Sequence, residues 1–155
     1  SQEVILVFVF DTTILYKVKD KKDRRVTFIH RSLQELDQKL RRKGSALVVL
    51  YGNPIKEIPE FADRIKAQAV FINRDYEPSG KKRDKTVQTA CRSRGINLYD
   101  IKDQVIFEDG ELSTKSGTPC KVFTPFKKKW LETLNPSHYH NYSPNFKRLI
   151  SWRIY

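Results

Sequence analysis

The sequence of 155 residues predicts a doubly wound, Rossmann-like α/β domain, a parallel sheet with helices on both faces. Two observations carry this prediction. Four apolar runs, residues 4–10, 46–51, 69–72 and 96–99, lack polar alternation, as strands buried on both faces of a parallel sheet do. Between successive runs lie stretches with helical spacing, so strands and helices alternate, and right-handed crossovers fold that order into layers. With 39% hydrophobic residues the chain can build a core of its own.

Each element has a local reason. The longest apolar run, "VILVFVF" at residues 4–10, falls far short of the roughly 20 residues that a membrane span needs. In the first helical stretch Val26, Ile29, Leu33, Leu36 and Leu40 recur at steps of three and four, and Gly44 stands where a left-handed cap ends a helix. The second opens at Asn53 and Pro54, a capping residue and a first-turn proline, and carries Ile58, Phe61, Ala62 and Ile65. Pro59 is expected to break it or to move its start downstream. The third runs from about Gly80 to Arg94, turns Val87, Ala90 and Cys91 inward, and stops at Gly95. Beyond residue 100 come the glycine turns of "VIFEDGELSTKSGTPC". Thr124 and Pro125 are then expected to cap a helix bearing Phe126, Trp130, Leu131 and Leu134. The tail from Asn135 is rich in aromatic and turn residues and reads as a connection, with Phe146, Leu149, Ile150 and Ile154 spaced for a short helix.

The net charge of +12 is unevenly placed. Residues 17–43 carry eleven Lys and Arg against four acids, residues 115–155 carry eight against Glu132 alone, and residues 44–114 are balanced. Such segments attract polyanions through counterion release, which makes nucleic acid a natural partner class; a solvated basic surface is the plainer alternative. Cys91 and Cys120 form no close pair and are expected to be reduced thiols in a cytoplasmic protein. His138, His140 and Cys120 lack the spacing of a metal site. No GxGxxG, GxxxxGK[ST] or GxSxG device is present, so nothing in the motifs points to a nucleotide cradle or a serine nucleophile.

Ligands of open α/β sheets bind beyond the carboxyl ends of the strands, where the crossover direction reverses. That rule selects Asp11 and Thr12, Gly52 and Asn53, then Asn73, Arg74, Asp75 and Glu77, and last Asp100. The third loop is the richest. Asp75 and Glu77 offer acceptors, while Lys81, Lys82 and Arg83 open the next helix, whose free amides favour anions. An acidic capping turn before a solvated helix face would look the same.

"FIHRSLQELDQKLRRKGSALVVLYGNP", "VFINRDYEPSGKKRDKTV" and "STKSGTPCKVFTPFKKKW", preceded by "VILVFVFD", resemble in order and spacing the amino-terminal antenna domain of the DNA photolyase/cryptochrome family. The likeness covers residues 4 to about 134 and leans toward the cyclobutane-dimer photolyases. It implies a two-domain enzyme for light-driven repair of pyrimidine dimers in DNA. A helical domain, absent here, would hold FAD; the α/β domain would hold a light-harvesting chromophore, a deazaflavin, a reduced folate or another flavin. Residues 1–134 are then a partial antenna domain without repair chemistry of its own, and 135–155 the connection. Asp11, Asn73, Asp75, Glu77 and Arg83, taken from the strand ends and the start of the next helix, are the expected chromophore-binding set. Asp75 and Glu77 match acidic positions lining the deazaflavin site.

Two departures from the family pattern matter. Folate-binding members carry an Asn-Glu pair where this chain has Ser79 and Gly80, and a histidine in a loop that here, over residues 11–25, has none. The family's first strand and helix have no counterpart before Val4, so the chain is expected to be an internal fragment. Its sheet should then divide in two, with exposed edges open to a partner chain, a second copy or the tail "LISWRIY". A cryptochrome-type light receptor and a free-standing nucleic-acid-binding module are the other readings that this sequence allows.

Overall fold

A computed structural model describes residues 3–20, 22–114 and 117–151. In chain order the elements are β1 (Leu6–Asp11), α1 (Thr12–Leu15), α2 (Arg24–Arg42), β2 (Leu47–Gly52), α3 (Pro54–Arg64), β3 (Ala69–Asn73), α4 (Pro78–Arg92), β4 (Asn97–Ile101) and α5 (Phe123–Thr133). The strands pair in parallel as β1 with β2 and β3 with β4, with Leu6 beside Leu47 and Ala69 beside Asn97. Among the described residues no ladder joins β1 to β3, so the sheet is divided in the middle, as the sequence led us to expect.

The core lies where α3 and α4 cover the second pair. Ala62, Val87, Cys91, Ile96 and Leu98 are buried, with Ile55, Ile58, Ala67, Val70 and Ile72 packed around them. Strand pleating decides which residues take part, because alternate side chains point to opposite faces. Val70, Ile72 and Leu98 face the helices, whereas Phe71, Tyr99 and Ile101 alternate with them and are exposed. The rings of Phe71 and Tyr99 stack on that open face, 5.1 Å apart. Cys91 is wholly buried, and burial pushes its thiol pKa up.

Helix ends follow from side-chain chemistry. Asp23 caps α2 by accepting the Arg25 amide at 2.8 Å, and its hydrogen bonds to Arg25 draw its carboxyl down to about 2. At the other end Gly44 takes φ +80°, and the Ser45 N–H reaches back to the Leu40 carbonyl at 3.0 Å. Asn53 caps α3, which starts at Pro54 and continues through Pro59. The expected break is therefore absent. At the sixth helical position Pro59 forfeits one hydrogen bond to the Ile55 carbonyl, and its fully buried ring offsets that loss by packing. α4 begins at Pro78, two residues before the expected start, because that proline occupies the first-turn position where no amide is needed. Nor does Thr124 cap α5, which starts one residue earlier at Phe123 with Val122 at the cap.

The tail is mostly irregular, with single 3-10 turns at Pro136–His138 and Phe146–Arg148. The second turn is all that the described residues show of the short helix expected there, and Ile154 lies outside them. After it Leu149 forms a parallel bridge with Val4; the strand expected in "LISWRIY" is described no further than this, since residues 152–155 lie outside the described residues.

One side chain ties α2 to β2. Asp37 accepts the Leu47 amide at 2.9 Å with one oxygen and Arg41 Nε at 2.6 Å with the other. Burial opposes its ionisation, but the Leu47 and Arg41 hydrogen bonds outweigh it and hold the carboxyl below its usual range. Asp37→Ala should cost about 1–2 kcal/mol by orphaning the Leu47 amide. Because the native pKa is lowered, this stabilisation is complete above the unfolded carboxyl range and fades as pH falls through the native value. Urea midpoints of the two proteins should therefore converge in acid; a constant difference down to the lowest pH would contradict the assignment.

Candidate functional site

Two polar clusters stand at the carboxyl ends of the strands. The first centres on Arg83 in α4. Its Nε donates to Asp84 at 2.7 Å, and Nη2 lies 3.5 Å from the Asp75 carboxylate. Asp84, then Asp75 and then the more distant Asp11 raise the guanidinium pKa, and the first two carboxylates share the cation directly. Asp11 ends β1 and caps α1, accepting the Thr13 amide at 2.8 Å and its hydroxyl at 2.7 Å. Asp75 accepts the Glu77 amide at 3.0 Å, an arrangement that turns the chain from β3 into α4.

Gly80 fixes where Asp75 can sit. It is buried, and a Cβ there would collide with the Asp75 carboxylate. The carboxylate occupies the space that any side chain at position 80 would need. Gly80, which distinguishes this chain from the folate-binding pattern, is thus part of the acidic cluster's geometry.

The second cluster centres on Arg74. Its amide extends the β3–β4 pairing to the Ile101 carbonyl at 2.9 Å. Its Nε donates to Asp100 at 2.8 Å, and Nη1 to both Glu108 oxygens at 2.6 and 2.8 Å. Tyr76 donates its hydroxyl to Glu108 at 2.6 Å, Asn73 its amide to Asp103 at 2.7 Å, and Lys102 pairs with Glu111 at 2.8 Å. The Arg74 hydrogen bond lowers the Asp100 pKa. Beside this network a recess of about 250 Å³ is lined by Phe107, Glu108, Leu112, Cys120, Phe126 and Trp130. Phe107 also packs against the His138 ring at 4.8 Å.

The structure thus brings Asp11, Asp75 and Arg83 together and separates them from two expected companions. Asn73 belongs to the Arg74 network, and Glu77 is exposed at the α4 cap without a capping hydrogen bond. Asn53 spends its side-chain oxygen on capping α3. Among the described residues no three His, Cys, Asp or Glu side chains converge as a metal site. Asp84, Tyr76, Asp103, Glu108 and Glu111 were not anticipated. Except for Asp84, they join partners across loops, and only the run of acids after residue 102 hinted at a cationic partner.

Tyr76 offers a pH test. Burial first, and then its hydrogen bond to the Glu108 carboxylate, pushes the phenol up to about 12. A raised pKa means that this stabilisation is complete below the unfolded tyrosine value of about 10 and is lost as pH rises toward the native one. The difference in phenolate absorbance between the protein and Tyr76→Phe should show one group titrating near 12. A difference curve centred at the ordinary tyrosine value would rule out the contact.

The arrangement can be set beside known proteins. The family model described as DNA photolyase matches residues 1–145. A deoxyribodipyrimidine photo-lyase from Synechococcus sp. is 35% identical over 137 residues, 88% of this chain and 28% of that protein. One from Halobacterium salinarum is 33% identical, over 82% of this chain and 26% of its own length. Among solved structures, a class III photolyase from Agrobacterium tumefaciens superimposes with a TM-score of 0.71 at 28% identity, over 89% of this chain and 28% of that one. An archaeal photolyase from Sulfolobus tokodaii, solved with two FAD molecules and described as implying a novel light-harvesting cofactor, gives 0.65 at 30% identity, over 83% and 28%. The chain spans little more than a quarter of the length of these relatives. A match over nearly the whole chain, on the same parallel α/β scaffold, shows that this chain belongs to the DNA photolyase family.

Proposed function

We propose that this chain is the light-gathering part of a DNA photolyase, holding an antenna pigment at its strand ends. Excitation would pass to FAD in a separate helical domain, where pyrimidine dimers in DNA are repaired. The observation that carries the reading is the Asp75–Arg83 ion pair just beyond the carboxyl end of β3, with Asp11 ending β1 on the other side of the divide in the sheet. Ligand crevices of open α/β sheets lie beyond the carboxyl ends of the strands, where the crossover direction reverses.

The residues suit a pigment rich in hydrogen-bond donors. Two carboxylates on one guanidinium leave acceptor capacity for ring N–H or hydroxyl groups, while Arg83 can face an anionic oxygen. A deazaflavin or flavin fits this better than a folate, because the glutamate of the folate pattern at position 80 would displace Asp75. Asn73 and Glu77 would then shape the lip of the site. Residues 1–134 form the antenna unit in this reading and 135–155 the connection to the flavin domain. The chain itself carries no repair chemistry.

The test uses the intact protein. Asp75→Asn, which keeps the side chain's shape and removes its charge, should abolish most near-ultraviolet or blue absorbance beyond that of FAD. Dimer repair under direct flavin excitation should persist. Gly80→Ala, which displaces the same carboxylate sterically, should act alike. Full pigment absorbance in both variants would reject the strand-end site.

A further inference from the structure

Strands β3 and β4 turn one face to α3 and α4 and leave the other bare. Pleating and register put Ala69, Phe71 and Asn73 of β3 and Asn97, Tyr99 and Ile101 of β4 on that bare face. None of the six is charged, in a chain where charged residues make up 31%. Phe71 is 68% exposed, Ile101 51% and Tyr99 47%. At about 200 Å² for a whole side chain of this size, the three leave roughly 300 Å² of apolar surface in water. Phe71 and Tyr99 are register partners, and their rings lie within 21° of parallel. The two rings thus form a flat platform already in place, which lowers the ordering cost of covering it.

Charge is placed unevenly around that platform. At the amino end of the strand pair, Lys66 and Arg94 lie in the turns that lead into β3 and β4, and both are exposed. Lys66 takes φ +55°, where glycine is the usual occupant. At the carboxyl end the Asn73 amide donates to the exposed carboxylate of Asp103 at 2.7 Å. Among the described residues Lys66 and Arg94 pair with no carboxylate, and Asp103 with no cation. The dipoles of α3 and α4 favour cations where those helices end, but they account neither for the bare rings nor for Asp103.

A face with an apolar centre, cations at one end and an acid at the other is complementary to itself when inverted. A two-fold axis between two such faces, perpendicular to the strands, sets rings against rings and brings Lys66 and Arg94 of each copy to Asp103 of the other. We propose that this face is the contact of a symmetric dimer, in which a second copy of the chain, its strands antiparallel to the first, covers Phe71, Tyr99 and Ile101. Rings and rims of both copies together bury under roughly 1,000 Å², the low end for specific contacts, so half of the chain is dimeric only at a concentration on the order of 10–100 µM. The contact is separate from the strand-end cluster and does not depend on a pigment there.

The test is sedimentation velocity of the chain across that concentration range, with circular dichroism to verify that each variant is folded. The chain should pass from one copy to two. Phe71→Glu, at an exposed position, should raise the midpoint concentration by about tenfold or more. Asp103→Lys alone, and Lys66→Glu with Arg94→Glu, should each weaken association, because like charges then meet at both ends. The second change lowers the net positive charge, so a general relief of repulsion would strengthen association instead. All three substitutions in one chain exchange the two rims and should restore the dimer. A chain that stays monomeric throughout overturns the proposal and leaves the face to a different protein. Association that Phe71→Glu does not weaken, or that the folded triple variant does not recover, overturns it as well. Because no pigment enters the measurement, its failure leaves the antenna reading untouched.

Discussion

The packing of α3 on α4 is what makes one domain of two separate strand pairs. α4 packs on β4, whereas α3 touches α4 and also reaches β1 and β2. Small and compact residues permit that approach: Ala62, Pro59 and Cys91 are all buried. A helix carrying larger side chains there would have to stand farther off, and interiors at crystalline density leave no slack for it. With no ladder between β1 and β3 among the described residues, helix packing rather than backbone pairing aligns the strand ends. Asp11 on one pair and Asp75 and Arg83 beyond the other come within electrostatic reach only because α3 holds the pairs in place.

β1 also separates two electrostatic regions. Its carboxyl end, Asp11, belongs to the acidic cluster, while Val4, just before its amino end, anchors the basic tail. Seven residues of extended chain span roughly 23 Å. That exceeds the Debye length of about 8 Å at physiological ionic strength, so the two regions barely perceive one another. The Arg74 network serves differently: by gathering Asp100 and Glu108 it fastens the loop after β4 against β3.

The apolar residues left open by this arrangement explain why the strands read as they do. Phe71 and Tyr99 belong to runs without polar alternation, the pattern of strands covered on both faces, yet α3 and α4 cover only one. Strand composition recorded the number of faces that it suits to cover, not what covers them in this chain. Pro59 shows the opposite case, where a local rule was overruled. Its cost is one hydrogen bond, and that is decided by whether the ring is buried, which neighbours in sequence do not reveal.

Most of the architecture follows from the sequence alone because it depends on short-range physics. Asn53 caps the helix beside it, Gly44 and Gly95 end theirs with left-handed backbone, and alternating strand and helix patterns admit few parallel topologies. The positions of Asp11 and Asp75 at strand ends were legible for the same reason, since that rule needs only strand boundaries, whereas Arg83 lies inside α4. The sequence could not pair Arg74 with Glu108 or Lys43 with Phe146, nor send Asn73 to Asp103 instead of to Asp75. Those choices join residues from distant parts of the chain. A charge or a ring finds such a partner only after the backbone between them has been folded, so tertiary structure decided them.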